Sequence, residues 1–266
     1  VRRLRRLIQK RSLRWSEGVC VLEGPDLINA ALEADVEFEA LYVTVSATGS
    51  ASIAETVQRA DDSGVRVFSL GEGVLEKIAD AQSPQPILAS VRFPVVQIAD
   101  IAVEGLTVIL HDVRDPGNAG TIIRSADAAG ATAVVITGQS VDPFNPKTLR
   151  ATAGSIFHLP VAVAPLSDAL DHFANGGAQT FATVVRGAKS HRDVDFSKPT
   201  VVVIGNEASG LDDVSIAMCD SSITIPMAGR SESLNAAIAA SLIMFEALYQ
   251  REDALGSSPP RSLEEL

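Results

Sequence analysis

Short runs that are apolar at nearly every position, several of them followed by a segment of helical spacing, decide what this chain can fold into. In its second half they read TVILHDV, AVVIT, LPVAVA, QTFATVV, TVVVIG and ITIPM. A strand without polar alternation is buried on both faces, which is the situation of a parallel sheet covered by helices. TIIRSADAAG and LRATAGSIF are the expected intervening helices, the second entered through the loop GQSVDPFNPKT. SLNAAIAASLIMFEALYQ is a long last helix. From Gly18 to about Arg92 the alternation is similar, with strands VCVLEG, FEALYVTV, VRVFSL and ILASVRF between helices PDLINAALEA, ASIAETVQRADDSG and LEKIADA. This pattern predicts an α/β unit with a largely parallel sheet. A chain of 266 residues accommodates two such domains. The expected division is 1–95, a connection over 96–105, 106–250, and a polar, Pro/Ser-rich tail over 251–266 that is frayed or disordered.

The net charge of −11 argues against a protein that coats nucleic acid through bulk positive charge. Residues 1–14 nevertheless hold Arg2, Arg3, Arg5, Arg6, Lys10, Arg11 and Arg14 and no acid, leaving about −18 for the rest. Two readings stay open. The segment is a basic arm that tracks phosphates, or a helix with Val1, Leu4, Leu7 and Ile8 on one face and its cations in water. Cys20 and Cys219 lie far apart without metal-ligand partners, as expected of reduced thiols in a cytoplasmic protein that binds no metal. No apolar run reaches the roughly 18 residues of a membrane helix, and VRRLRRLIQKRSLRW lacks the apolar stretch of a signal peptide. The first residue is Val1 rather than Met, as in a segment cut from a longer reading frame.

Three stretches follow expected strand ends, where ligands bind in α/β sheets: DVRDPGNAGTIIRSADAAG, VVVIGNEASGL and ITIPMAGRSESLNAAIAASL. Singly, each has an ordinary reading. GNAG suits a tight turn before a helix, Arg124 a surface ion pair with Asp127, GNEASG a plain turn, and Ser233 and Asn235 a helix start. GNAG lacks the Lys-Ser/Thr of a P-loop. No strand is followed by a three-glycine dinucleotide turn, which argues against a nucleotide-binding oxidoreductase.

In this order and spacing, the three stretches resemble the motifs of the SpoU family of RNA ribose 2′-O-methyltransferases, within the SPOUT superfamily. Asn-x-Gly-x-x-x-Arg matches Asn118, Gly120 and Arg124, and Gly-x-Glu-x-x-Gly matches Gly205, Glu207 and Gly210. Ile-Pro-Met with a following Ser-Leu-Asn matches Ile225, Pro226, Met227, Ser233, Leu234 and Asn235. The resemblance covers roughly 106–250, while LEGPDLINAAL is similar to the ribosomal-protein-like substrate-binding domain that many members carry.

The resemblance implies an α/β fold whose parallel sheet carries a deep trefoil knot, which no rule of periodicity would propose. It also implies a small N-terminal α/β domain for RNA, a homodimer through the knotted domain, and S-adenosylmethionine as cofactor. Thr183, Gly205, Ile225, Met227 and Leu234 would hold that cofactor, Gly205 because a side chain there would keep the backbone from the ligand. Asn118, Arg124, Glu207, Ser233 and Asn235 would serve catalysis. A guanidinium stays protonated at neutral pH, so Arg124 is read as holding the target phosphate and stabilising charge on the attacking oxygen rather than as the base. Glu207 would orient Arg124 or neighbouring backbone, and Asn118 and Ser233 would order the loop and the incoming ribose. Leu234, Ile238, Leu242, Phe245 and Leu248 form a stripe that suits a dimer or a core helix equally. Lys147 and Arg150 are RNA contacts or members of internal charge pairs. The extra N-terminal domain favours a folded ribosomal RNA, 23S, as substrate. A transfer-RNA 2′-O-methyltransferase and a non-catalytic RNA-binding or assembly factor are the alternatives.

Overall fold

The computed structural model describes residues 1–47, 49–71, 73–78, 85–93 and 96–254. Most of the expected disordered tail, 255–266, lies outside the described residues, as does the end of LEKIADA.

The N-terminal part comprises helices α1 (Arg2–Gln9) and α2 (Arg11–Glu17), then β1 (Val19–Glu23), α3 (Pro25–Glu33), β2 (Phe38–Thr44), α4 (Ala51–Asp62), β3 (Val67–Leu70), α5 (Leu75–Ile78) and β4 (Ile87–Arg92). Its sheet has the order β1-β4-β2-β3, with β4 antiparallel to β1 and β2 and only β2–β3 parallel. The expectation of a largely parallel sheet is corrected here. The last strand enters the middle of the sheet and runs against both neighbours, and its residues 87–91 are all buried, as befits a central strand.

The basic start is helical and packed. Leu4 and Leu7 are buried on α1, as the amphipathic reading expects, although Val1 is exposed. Arg14 corrects the phosphate-tracking list. It is only 2% exposed, and its Nη2 lies 2.6 Å from Asp142 Oδ2 while its Nη1 donates to the carbonyls of Leu7 and Ile8. Trp15 Nε1 donates to the same carboxylate and packs edge-on against Phe93 and Phe144, which stack at 3.8 Å. A side chain so enclosed has no face left for RNA. Arg3 is engaged as well, bridging Glu17 and Glu39 at 2.7 Å each.

The C-terminal part runs β5 (Leu106–His111), α6 (Pro116–Ala128), β6 (Ala133–Thr137), α7 (Pro146–Thr152), β7 (Val161–Val163), α8 (Leu166–Asn175), β8 (Gln179–Thr183), β9 (Lys189–Ser190), β10 (Thr200–Ile204), α9 (Asp213–Ala217), β11 (Ser221–Thr224) and α10 (Ala236–Ala254). Seven strands in the order β7-β6-β5-β10-β8-β11-β9 pair in parallel throughout. One core binds α6, α7 and α10 to the sheet and continues into the N-terminal sheet; a second holds α8 on the opposite face. The order β5-β10-β8-β11 gathers the carboxyl ends of four strands, and thus all three motifs, at one edge.

Candidate active site

The first motif is helical rather than a loop. Pro116 occupies the first turn of α6 and the Asp115 carboxylate caps it, accepting from Asn118 N–H at 2.7 Å. Asn118 and Gly120 therefore sit within the helix. A Cβ at Gly120 would collide with Ala151 and lie 2.6 Å from Thr148 O, so this glycine lets α6 and α7 touch.

Glu207, on the turn after β10, gathers that helix start. Its Oε1 accepts from Asp115 N–H (3.0 Å) and Asn118 Nδ2 (3.1 Å), and its Oε2 from Arg114 N–H (3.2 Å). Asn118 Oδ1 in turn accepts from Asn235 Nδ2 at 2.9 Å. Asn235 Oδ1 caps α10 by accepting from Ala237 and Ile238 N–H. Its ordinary role as a helix cap and its link to the first motif are served by opposite ends of one amide. Three segments distant in sequence thus meet in one chain of hydrogen bonds. Partial burial pushes the Glu207 carboxyl upward, but hydrogen bonds from the Asn118 side chain and from backbone N–H groups outweigh it. The net result lies below the ordinary glutamate range. Glu207 is therefore an anion fixed by three donors, suited to positioning rather than proton transfer.

Beside this cluster opens a cleft of about 210 Å³, mostly apolar with a few polar groups, as small-molecule sites are. Thr183, Gly205, Ile225, Met227 and Leu234 all line it, together with Glu207 and Ser233. Ile204, Ile223, Ala239 and Ile243 supply apolar wall. Thr183 Oγ1 is committed to Val203 O. Gly205 has a packing reason of its own. A Cβ there would stand 2.5 Å from Gly210 C and 2.6 Å from Leu211 N, so the glycine admits the loop's own return.

Asn118 and Asn235 stand at the rim through their bonds to Glu207 and to each other. Arg124 is not among the cleft's lining residues. It is exposed on α6, next to the Ser125–Ser241 hydroxyl contact that ties α6 to α10, and forms no ion pair with Asp127 or any other described residue. Arg150 makes a charge pair with Glu23 at 3.3 Å, whereas Lys147 is exposed and forms no salt bridge with a described residue.

Asn206, absent from the sequence-based candidates, ties the site together. Its Nδ2 donates to Asp112 O at 2.8 Å, and its Oδ1 accepts from Ala208 and Ser209 N–H. Asp112 has φ +56°, and its carboxylate accepts from Gln139 N–H. An asparagine between strand and turn is the usual residue for such bonds, and that was the available signal. Cys20 is buried, its thiol pushed up by that burial; Cys219 is partly buried and pushed up to about 11 for the same reason. Among the described residues no group of three or more His, Cys, Asp or Glu could hold a metal, and no helix is long and apolar enough to cross a membrane.

The profile of the SpoU rRNA Methylase family matches residues 105–245, and that of an MRM3-like substrate binding domain matches 1–89. The 23S rRNA (guanosine(2553)-2′-O)-methyltransferase RlmP of Bacillus subtilis is 32% identical over 184 residues, 69% of this chain and 73% of that protein. The 23S rRNA (uridine(2479)-2′-O)-methyltransferase of Streptomyces viridochromogenes is 36% identical over 67% of this chain, which spans 65% of that relative's length. The crystal structure of an AdoMet-bound rRNA methyltransferase from Sinorhizobium meliloti superposes with a TM-score of 0.82 at 32% identity, covering 96% of this chain and 95% of that one. With the motif residues joined at the strand ends and the profile spanning more than half its length, this chain belongs to the SpoU rRNA methylase family.

Proposed function

We propose that this chain methylates a ribose 2′-hydroxyl of 23S ribosomal RNA with S-adenosylmethionine, as a homodimer. It is an AdoMet-dependent RNA 2′-O-methyltransferase by family, and the observation that carries the reading is the Asn118–Glu207–Asn235 cluster at the lip of the cleft. The cleft suits the cofactor chemically. Among the described residues its lining includes the carboxylates Glu207 and Glu232 and no Lys, Arg or His, which favours a sulfonium cation, and its isoleucines offer an apolar wall to adenine. Thr183, Gly205, Ile225, Met227 and Leu234 would hold it, and when bound it supplies the electrophilic methyl group.

The protein's own part is positioning and charge. Glu207 fixes the start of α6, so Asn118 presents its amide at a set place beside the cleft. Arg124 holds the target phosphate and stabilises negative charge on the attacking oxygen, and Ser233 orders the ribose. The exposed Arg2, Arg5, Arg6, Lys10 and Arg11, with Lys147, would meet RNA phosphates farther away.

The dimer reading rests on α10. Ala237, Ala240, Ile243, Met244 and Ala247 face the core, yet Ile238 and Leu242 on its other side are 53% and 45% exposed. A helix apolar on both sides is covered on both sides, and a second copy is the cover the family resemblance implies. The knotted path of the sheet is proposed on the same footing. Incubation with tritiated cofactor and unmodified 23S rRNA, followed by mapping of the blocked 2′ position, tests the activity. Cofactor binding without label in any RNA would favour an assembly factor instead, and label in transfer RNA alone would replace the substrate. Light scattering of Leu242→Glu tests the dimer, with a monomer expected.

A further inference from the structure

The structure assigns the substrate's phosphodiester backbone, next to the reacting nucleotide, to a basic rim formed by Arg186, Lys189 and Arg192. This rests on the reading of the chain as an RNA methyltransferase and names how RNA is gripped at that site.

In a chain of net charge −11, residues 184–192 (VVRGAKSHR) contain three cations and no acid. All three cations are exposed, and none forms a salt bridge with a described residue; the neighbouring Asp193 leaves Arg192 free. The segment belongs to the cleft. Val184 and Val185 line it and Arg186 follows directly; Lys189 stands in register with Ile223, another lining residue. It is also held in place. Thr224 Oγ1 donates to Val185 O at 2.8 Å, Lys189–Ser190 is the outermost strand of the sheet, and His191 is buried between the exposed Lys189 and Arg192. Cations at intervals of three residues span at most about 20 Å, the reach of a few nucleotides.

The N-terminal helices carry more cations, but theirs are partly spent. Arg14 is buried in an ion pair and Arg3 bridges two glutamates. The rim's cations have no such partner, so pairing them with a phosphate breaks no existing salt bridge. The acidic cleft then holds a cationic cofactor while the basic rim holds the anionic polymer.

The test is Arg186→Ala/Lys189→Ala/Arg192→Ala in the full chain, probed with an unmodified 23S rRNA transcript. Direct binding is measured against salt, and methyl incorporation is measured separately. KM for RNA is expected to rise roughly tenfold or more, and the slope of log affinity against log salt to fall by about 2, near 0.7 for each lost phosphate contact. Cofactor affinity and melting temperature should hold, showing an intact cleft, and kcat should fall far less than KM rises. A variant that binds RNA with the parent's affinity and salt slope overturns the rim. If the parent binds the transcript but never methylates it, the activity reading fails while the salt slope still decides the rim.

Discussion

Two carboxylates organise this molecule, and they do so in opposite ways. Asp142 is 4% exposed and accepts from the Arg14 guanidinium, Trp15 Nε1 and Phe144 N–H, joining the N-terminal helices to the C-terminal domain. Glu207 lies at the surface and accepts from two backbone N–H groups and one amide. The first is an architectural charge, enclosed with its counter-ion. The second is held by neutral donors and faces the cleft. Burial predicts how each fails: loss of Asp142 strands a buried cation, whereas loss of Glu207 leaves groups that water can satisfy.

The largest effect is therefore expected at Asp142. Asp142→Ala should cost about 3–5 kcal/mol, because Arg14 would remain buried without its partner, and thermal unfolding would read it. Replacing both partners with apolar residues, as in Arg14→Met/Asp142→Leu, should recover much of the loss. A single variant that melts like the parent would erase the contrast between the two carboxylates.

Glu207→Ala comes next and should move a different quantity. Releasing the start of α6 unpins Asn118, and a loss of order 10²–10³ in kcat is expected, the scale of removing one preorganised charge-stabilising donor. Melting temperature should change little. A large drop in melting temperature with the residual rate intact would make Glu207 a second architectural carboxylate. Arg124→Ala should match or exceed this loss in rate while leaving the melting temperature unchanged, since that side chain forms no ion pair with a described residue.

Acid sharpens the comparison further. The folded Glu207 carboxyl titrates below the ordinary 4.5, so its stabilising contribution is complete above that pH and disappears as pH falls through the lower folded value. The melting-temperature gap between the parent and Glu207→Gln should be constant from neutral pH to about 4.5 and close below it. A gap that widened as the solution became more acidic would reverse the assigned shift.

The sequence made the site more legible than the scaffold beneath it. Asn118, Glu207 and Asn235 are separated by 89 and 117 positions across their two contacts, yet their motif spacing marked them. The seven parallel strands were partly visible as apolar runs. The two-residue β9 and the helices α8 and α9 were not, although LSDALDHF carries helical spacing. The N-terminal sheet misled because strand direction is fixed by a non-local event, the entry of β4 between β1 and β2, which alternation cannot encode. Asp115-Pro116 was a readable helix start, but the glycines after it suggested a loop. Arg14 lies seven residues beyond Leu7, on a second helix after an extended Lys10, so no single helical wheel would have placed it inside.

The smallest effect belongs to Arg150, which spans the same domain boundary as Arg14. Its partner Glu23 is mostly covered, but the arginine is 40% exposed and its Nη1 sits at 3.3 Å rather than 2.6 Å. Water competes for the guanidinium, and pairs of this kind contribute about 0–1 kcal/mol. Arg150→Ala should therefore shift stability by no more than that, with the shift fading at high salt. If RNA affinity falls while the melting temperature holds, the arginine exchanges Glu23 for a phosphate when substrate arrives. If neither moves, proximity across the boundary is all the pair records, and Asp142 alone carries the junction's charge.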